Sequence, residues 1–190
     1  MANWASTAYA IEGPKETLEK IREAIVKAIE TKDNRYEEYK TCDNLGITYE
    51  ETKVRLGGLI EEEPDYDDKG ALRFFAEERW GLQEFNELLE QRFPGIKVYW
   101  IVEESGCEVY ATNDKEGKYF PERYWVDTCI DGNYQSEYFQ FESSVYKWLH
   151  GITGGRVRSA EDAEKFNSDY EDSEGADDNF IYIHEFTVID

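Results

Sequence analysis

Few side chains in this chain of 190 residues are of a type that does chemistry, and their spacing limits what they can do. The candidate nucleophiles are Cys42, Cys107 and Cys129, and the candidate bases are His150 and His184. A cysteine nucleophile needs a base beside it, and no motif brings either histidine to a cysteine. His150 stands just before Gly151 at the end of a helical pattern, where a cation complements the helix dipole. His184 lies beside Glu185 in a β-prone run and reads as an exposed strand residue rather than a general base. None of the cysteines sits in a CxxC or Cys/His metal spacing, and three cannot all pair. Pairing of 118–130 back on 107–112 would set Cys107 and Cys129 near opposite ends of one ladder, which disfavours a bridge between them. The acidic run from Asp169 to Asn179 resembles a calcium loop only in composition. Counted from Asp169, the required glycine arrives one residue late, and Phe180 takes the place of the closing glutamate. Glu103, Glu104 and Glu108 read as a solvated hairpin end. The sequence therefore assigns no catalytic residue, no metal and no cofactor.

Charge narrows the partners. The net charge is −22, and −20 of it falls in residues 61–190. Such a field repels nucleic-acid phosphate and anionic membrane, so neither direct nucleic-acid binding nor a membrane is expected. No apolar run approaches the ~20 residues of a membrane span, and the start MANWASTAYAIEG lacks the basic and apolar regions of a signal peptide. Thiols with no pairing pattern point to a reducing, cytoplasmic setting.

The elements that would position a surface site come from the apolar periodicity. Ala2–Glu12 reads as a strand, and Leu18, Ile21, Ile25, Ala28 and Ile29 mark an amphipathic helix over Lys15–Thr31 behind Pro14. Tyr36 and Tyr39 suit a short helix. The runs KVRLGGLIEE and ALRFFAEE read as a hairpin around the acidic turn 64–68. Gly57-Gly58 in its first arm suggests a bulge or a close backbone approach; a phosphate loop is the rival reading, disfavoured because no Lys-Ser/Thr follows and no helix opens there. Leu82, Phe85, Leu88, Leu89 and Phe93 mark a second helix, ended by Pro94-Gly95. From Gly95 to Gln140 four aromatic and β-branched runs, divided by Ser105-Gly106, residues 113–117 and 131–133, read as a β-meander. Its first strand, with Val98, Trp100 and Val102 on one face and Tyr99 and Ile101 on the other, reads as central. A helix with Val145, Trp148 and Leu149 buried follows. Then come a short helix from Ala160, a mobile acidic loop within Arg156–Asn179, and a last strand in NFIYIHEFTVI.

This order predicts an α+β fold. Its first six elements form βαββαβ, the ferredoxin-like antiparallel sheet with helices on one face, extended by the meander, a helix and a C-terminal strand. One domain, 1–190, is expected, with 1–105 as the core and 106–190 as the extension. Particular residues then carry a resemblance: Asn3-Trp4, Trp80-Gly81, Phe93-Pro94 and Glu104-Ser105-Gly106, mostly within 1–140. On these the chain resembles the YubB ferredoxin-like family. The resemblance implies a ferredoxin-like fold and an origin on mobile genetic elements, with no agreed activity and no catalytic residues.

The aromatic load of the meander is the one candidate site. Tyr99, Tyr110, Tyr119, Trp125, Tyr134 and Tyr138 are read as an exposed aromatic face, and Tyr and Trp dominate binding hot spots. The competing reading has the C-terminal helix cover that face. The function read from the sequence is a non-enzymatic protein-interaction module, binding a protein partner or itself. The alternatives are an acidic DNA mimic that occupies a host nucleic-acid-binding protein, and an enzyme with an unrecognised site.

Overall fold

The computed structural model describes residues 3–50, 53–79, 81, 84–171 and 176–189. Ala2, Trp80, Leu82 and the segment 172–175, on which parts of the expected first strand, family pattern, second helix and acidic loop fall, lie outside them. The chain is α+β and folds as two compact units, the first holding residues 1–115 and 188–190 and the second 116–187. The sequence reading divides one domain at 105/106; the division between units falls ten residues later, after one more strand.

The first unit begins with β1 (Trp4–Glu12), in which alternation sends Ala5, Tyr9 and Ile11 inward. Pro14 caps α1 (Lys15–Glu30), its carbonyl accepting from the amides of Thr17 and Leu18. The helix buries Leu18, Ile21, Ala24, Ile25 and Ala28; four of these belong to the stripe read from its spacing, while Ala24 joins it and Ile29 is half-buried. After it come α2 (Glu37–Asn44), β2 (Gly58–Leu59), β3 (Asp65–Tyr66), β4 (Leu72–Arg79), α3 (Phe85–Arg92), β5 (Lys97–Glu104) and β6 (Val109–Thr112). The strands line up as β6-β5-β1-β4-β2, with β3 also on β4. Each of these pairings is antiparallel. The register sets Tyr9 opposite Phe74 and Trp100, and the rings of Tyr9 and Phe74 stack at 4.6 Å. These side chains share a core with Ile21, Ile25, Cys42, Phe85 and Leu89.

The expected hairpin arm before the acidic turn is reduced to β2, where Gly57 and Gly58 give their amides to a side chain of α2, and the expected turn itself carries β3. Beyond Ile60 the run Glu61-Glu62-Glu63 is exposed.

The second unit holds β7 (Tyr124–Ile130), β8 (Asn133–Phe139), α4 (Glu142–Ile152), α5 (Ala160–Tyr170) and β9 (Phe180–Glu185). Its sheet runs β8-β7-β9, antiparallel throughout. Asp131 and Gly132, with φ of 50° and 77°, make the two-residue turn whose twist suits a hairpin. Val126, Ile130 and Ile181 pack on Val145, Leu149, Val157, Ala163 and Phe166, so both helices cover one face. Ser159 caps α5, its hydroxyl accepting from the amide of Asp162 at 3.2 Å. The chain then returns to the first unit, where β10 (Thr187–Val188) lies beside β6 and the Ile189 amide donates to Thr112 at 2.8 Å.

The continuous meander is therefore corrected. The first two runs pair in one sheet and the last two in another; 118–130 does not pair back on 107–112. Residues 118–123 are irregular, since Pro121 has no amide to give a ladder and Gly117 turns the chain with φ 65°. The final run is likewise split, β9 and β10 serving different sheets.

The two cores give a direct check. Ile21→Ala and Leu149→Ala, both at fully buried sites, are each expected to lower stability by about 2–5 kcal/mol. Hydrogen exchange should show the largest loss of amide protection in the unit that carries the substitution; equal losses in both would contradict separate cores.

Candidate functional site

Side chains alternate across a strand, so the residues out of phase with the second unit's core line the opposite side of its sheet. These are Trp125, Asp127 and Cys129 on β7, Tyr134, Ser136 and Tyr138 on β8, and Phe180, Tyr182 and His184 on β9. The register sets Trp125 between Tyr138 and His184, and Asp127 between Ser136 and Tyr182. Trp125 stacks on the His184 ring at 5.0 Å and 22°, with Tyr138 6.4 Å away. Phe180 and Tyr182 stack at 5.1 Å. Tyr134, Tyr138 and Tyr182 are 61%, 43% and 52% exposed. A hydrogen bond to the Asp127 carboxylate, helped by partial burial, raises the Tyr134 phenol above its ordinary pKa.

Of the six aromatic residues expected to form a face, Trp125, Tyr134 and Tyr138 are brought together. Tyr99 and Tyr110 belong to the first unit, where Tyr99 is half-buried on β5 and Tyr110 is buried at 5% exposure. Tyr119 is buried in the irregular segment before β7. An exposed role for Tyr110 and Tyr119 is corrected on that ground. The helices α4 and α5 cover the other face, not this one. Phe180, Tyr182 and His184 were missed; their alternation against Ile181 and Ile183 was visible, but the pairing of β9 with β7 was not.

A second constellation, unforeseen in the sequence, lies inside the first unit. Glu78 on β4 accepts from the Thr7 hydroxyl and from the Tyr9 hydroxyl, the latter at 2.5 Å. Glu38 on α2 is equally buried, and its Oε2 accepts from the amides of Gly57 and Gly58 at 2.9 and 2.8 Å. Burial, reinforced by the neighbouring Glu78 charge, holds the Glu38 carboxyl well above the ordinary carboxylate range. A carboxylic acid here also satisfies Oε1, which as a carboxylate has no donor among the described residues. A Cβ on Gly58 would collide with the Glu38 carboxyl; this is the close approach that the glycine pair suggested. Two concavities on this unit, one lined by Lys20, Asn44 and Arg92 and one by Leu59, Phe75 and Glu77, are lined by neither glutamate. Two facing carboxyls are the raw material of acid–base catalysis, but a general acid must reach a substrate proton. This pair is closed off and holds α2 and β2 to the sheet.

The other chemical candidates are dispersed. Burial pushes the Cys42 thiol up to about 12, which removes it as a nucleophile. Cys107 is exposed and accepts from the Asn3 side-chain amide at 2.9 Å. Cys129 and His184 share a face but sit toward opposite ends of the β7–β9 ladder. His150 is exposed in the last turn of α4. Glu104, expected to be solvated, is buried and accepts from the Gly106 amide at 3.1 Å, folding the turn onto itself. Among the described residues no group of three His, Cys, Asp or Glu could hold a metal ion, and no helix is long and apolar enough to cross a membrane.

No protein-family model, curated protein or solved structure matches this chain.

The carboxyl pair makes stability depend on pH with a definite sign. Unfolded, Glu38 titrates near the ordinary glutamate value of about 4.3; folded, it keeps its proton to higher pH. Between those values the native state holds more protons than the unfolded one, so stability falls as pH rises through the interval and is level below it. Glu38→Gln, which retains the acceptor for both glycine amides, is expected to remove this part of the decline. Urea unfolding across the acid-to-alkaline range checks it; an unchanged pH slope in the variant would refute the proton held on Glu38.

Proposed function

We propose that this protein is a non-enzymatic protein-interaction module whose contact surface is the aromatic face of the second unit's sheet. The observation that carries the reading is an arrangement: helices cover one face, while Tyr134, Tyr138 and Tyr182 stand exposed on the other around the Trp125–His184 stack. Exposed aromatics gathered on one surface favour a protein contact, because Tyr and Trp bury large area at little entropic cost. With 43 acidic residues against 21 basic ones, the complementary partner offers arginine or lysine, which stack on such rings. Direct binding of nucleic acid is disfavoured by the same charge. We read the first unit as ferredoxin-like. Support comes from a sheet with β1 and β4 central, β5 and β2 flanking them, and helices following β1 and β4. The YubB resemblance, carried by Trp4, Phe93-Pro94 and Glu104-Ser105-Gly106, belongs to that same reading.

The test compares capture of partners by the native protein and by Tyr134→Ala/Tyr182→Ala, both checked for an unchanged circular dichroism spectrum. A partner that survives high salt and binds the double variant about tenfold or more weakly supports the aromatic face. A nucleic-acid-binding partner that is lost at high salt and retained by the variant would replace this reading with the acidic mimic.

A further inference from the structure

Three strands with three positions each make the aromatic face a three-by-three grid. One row holds Tyr138, Trp125 and His184, the next Ser136, Asp127 and Tyr182, and the last Tyr134, Cys129 and Phe180. Asp127 stands at the centre. It is the one carboxylate of the nine, and six of its eight neighbours carry rings. One of its oxygens is engaged, because the Tyr134 hydroxyl donates to the carboxylate, and the Ser136 side chain serves that same phenol. The other, Oδ1, is shielded from solvent and has no donor among the described residues. A carboxylate oxygen cut off from water without a donor is costly. That cost is relieved when a donor arrives from outside the chain.

The surroundings select a cationic donor. Aromatic faces carry the negative part of the ring quadrupole and attract cations, and the chain bears a net charge of −22. The oxygen count then selects among cations. A guanidinium fork matches a carboxylate with both oxygens open, whereas here Tyr134 holds one of them. An ammonium is a point donor on an alkyl stem, so it needs one oxygen and lays its stem along apolar surface. Tyr182 lies directly opposite Asp127 in the register and is 52% exposed. A small rotation of this ring opens the way to Oδ1, and exposed side chains make such moves within nanoseconds.

We propose that the centre of this face is a lysine-binding site, in which the ammonium of a partner protein's lysine donates to Asp127 Oδ1 between the rings of Tyr134 and Tyr182. The site rests on the reading of this face as the contact surface, and it gives that surface an anchor and the partner a chemistry. The partner presents an exposed lysine with its N–H groups free. Arginine fits less well, since its second N–H finds Oδ2 already taken. A quaternary ammonium meets the rings but has no proton to give Oδ1.

The probe is n-butylammonium, which has the stem and charge of a lysine side chain, titrated into the whole nitrogen-15-labelled protein at physiological salt. Saturable amide shifts are expected on β7, β8 and β9 around Asp127. Asp127→Asn keeps the size and an acceptor for Tyr134, and should weaken binding about tenfold or more. Tyr182→Leu keeps bulk without a ring, should weaken it roughly two- to thirtyfold, and keeps the test sound if the first variant fails to fold. Methylguanidinium, n-butyltrimethylammonium and uncharged 1-butanol should each bind more weakly than n-butylammonium. Shifts spread over the whole acidic surface, shifts indifferent to both substitutions, or a preference for any of the other three probes overturn the lysine site. A partner captured by Asp127→Asn but lost from Tyr134→Ala/Tyr182→Ala removes the lysine anchor and leaves the aromatic contact standing. Butylammonium binding that requires Asp127, in a protein that captures no partner, keeps the cation site and removes the contact reading.

Discussion

Without a proton on Glu38, two carboxylates would face each other inside the first unit, out of reach of water. Burying even one unpaired charge is expensive, and buried groups relieve it by shifting their protonation. Here the relief has structural consequences. Glu38 reaches across to two consecutive amides of the glycine pair, while Glu78 takes the hydroxyls of Thr7 and Tyr9. Helix α2, the short strand β2 and the central strands β1 and β4 thus meet at one polar knot in an otherwise apolar core. Glycine at position 58 is required by the approach of a carboxyl, with no phosphate involved. The nearby Lys40 is buried as well and is held by Glu37 at 2.8 Å and by the Thr31 carbonyl at 3.0 Å. Helix α2 is thus held by Glu38 and Lys40 as well as by the packing of Cys42 in the apolar core.

The second unit is organised by the opposite economy. Its sheet has three strands, too few to bury both faces, and both helices lie on one of them. What remains on the other is a set of rings that stack laterally, Trp125 on His184 and Phe180 on Tyr182, with Asp127 bound to Tyr134 in their midst. Lateral stacking orders these side chains in advance, so a partner would meet a surface with little rotamer freedom left to lose. The histidine weighed as a candidate base is here part of a platform.

Much of the local structure was legible in the sequence. The helices α1, α3 and α4 follow from apolar spacing, with Pro14 and Pro94 near the ends of the first two, a short helix was read from Ala160, and β1, β5, β7 and β8 follow from alternation closed by turn residues. These signals are local: a helix face or strand face is written within ten or so residues. The Asp131-Gly132 turn and the central place of β5, apolar on both sides, were readable for the same reason. Half of the aromatic face was readable too, since Trp125, Tyr134 and Tyr138 sit on strands joined by that short turn.

What the sequence could not supply was which strand pairs with which across long separations. Backbone hydrogen bonds are the same for every residue, so the register between β7 and β9, and the partition of β5–β6 and β7–β8 into two sheets, depend on tertiary packing rather than on any residue pattern. That is why Phe180, Tyr182 and His184 were missed and why Tyr110 and Tyr119 were misplaced. The Glu38–Glu78 pair lay hidden for a further reason: forty residues separate the two glutamates in a chain full of acidic side chains, and only burial distinguishes these two from the solvated majority. The sequence by itself determined the α+β class, most of the helices and strands, and the acidic field. The tertiary structure alone decided the division into two units, the open side of the second sheet and the buried acid of the first, because each depends on contacts between segments far apart in the chain.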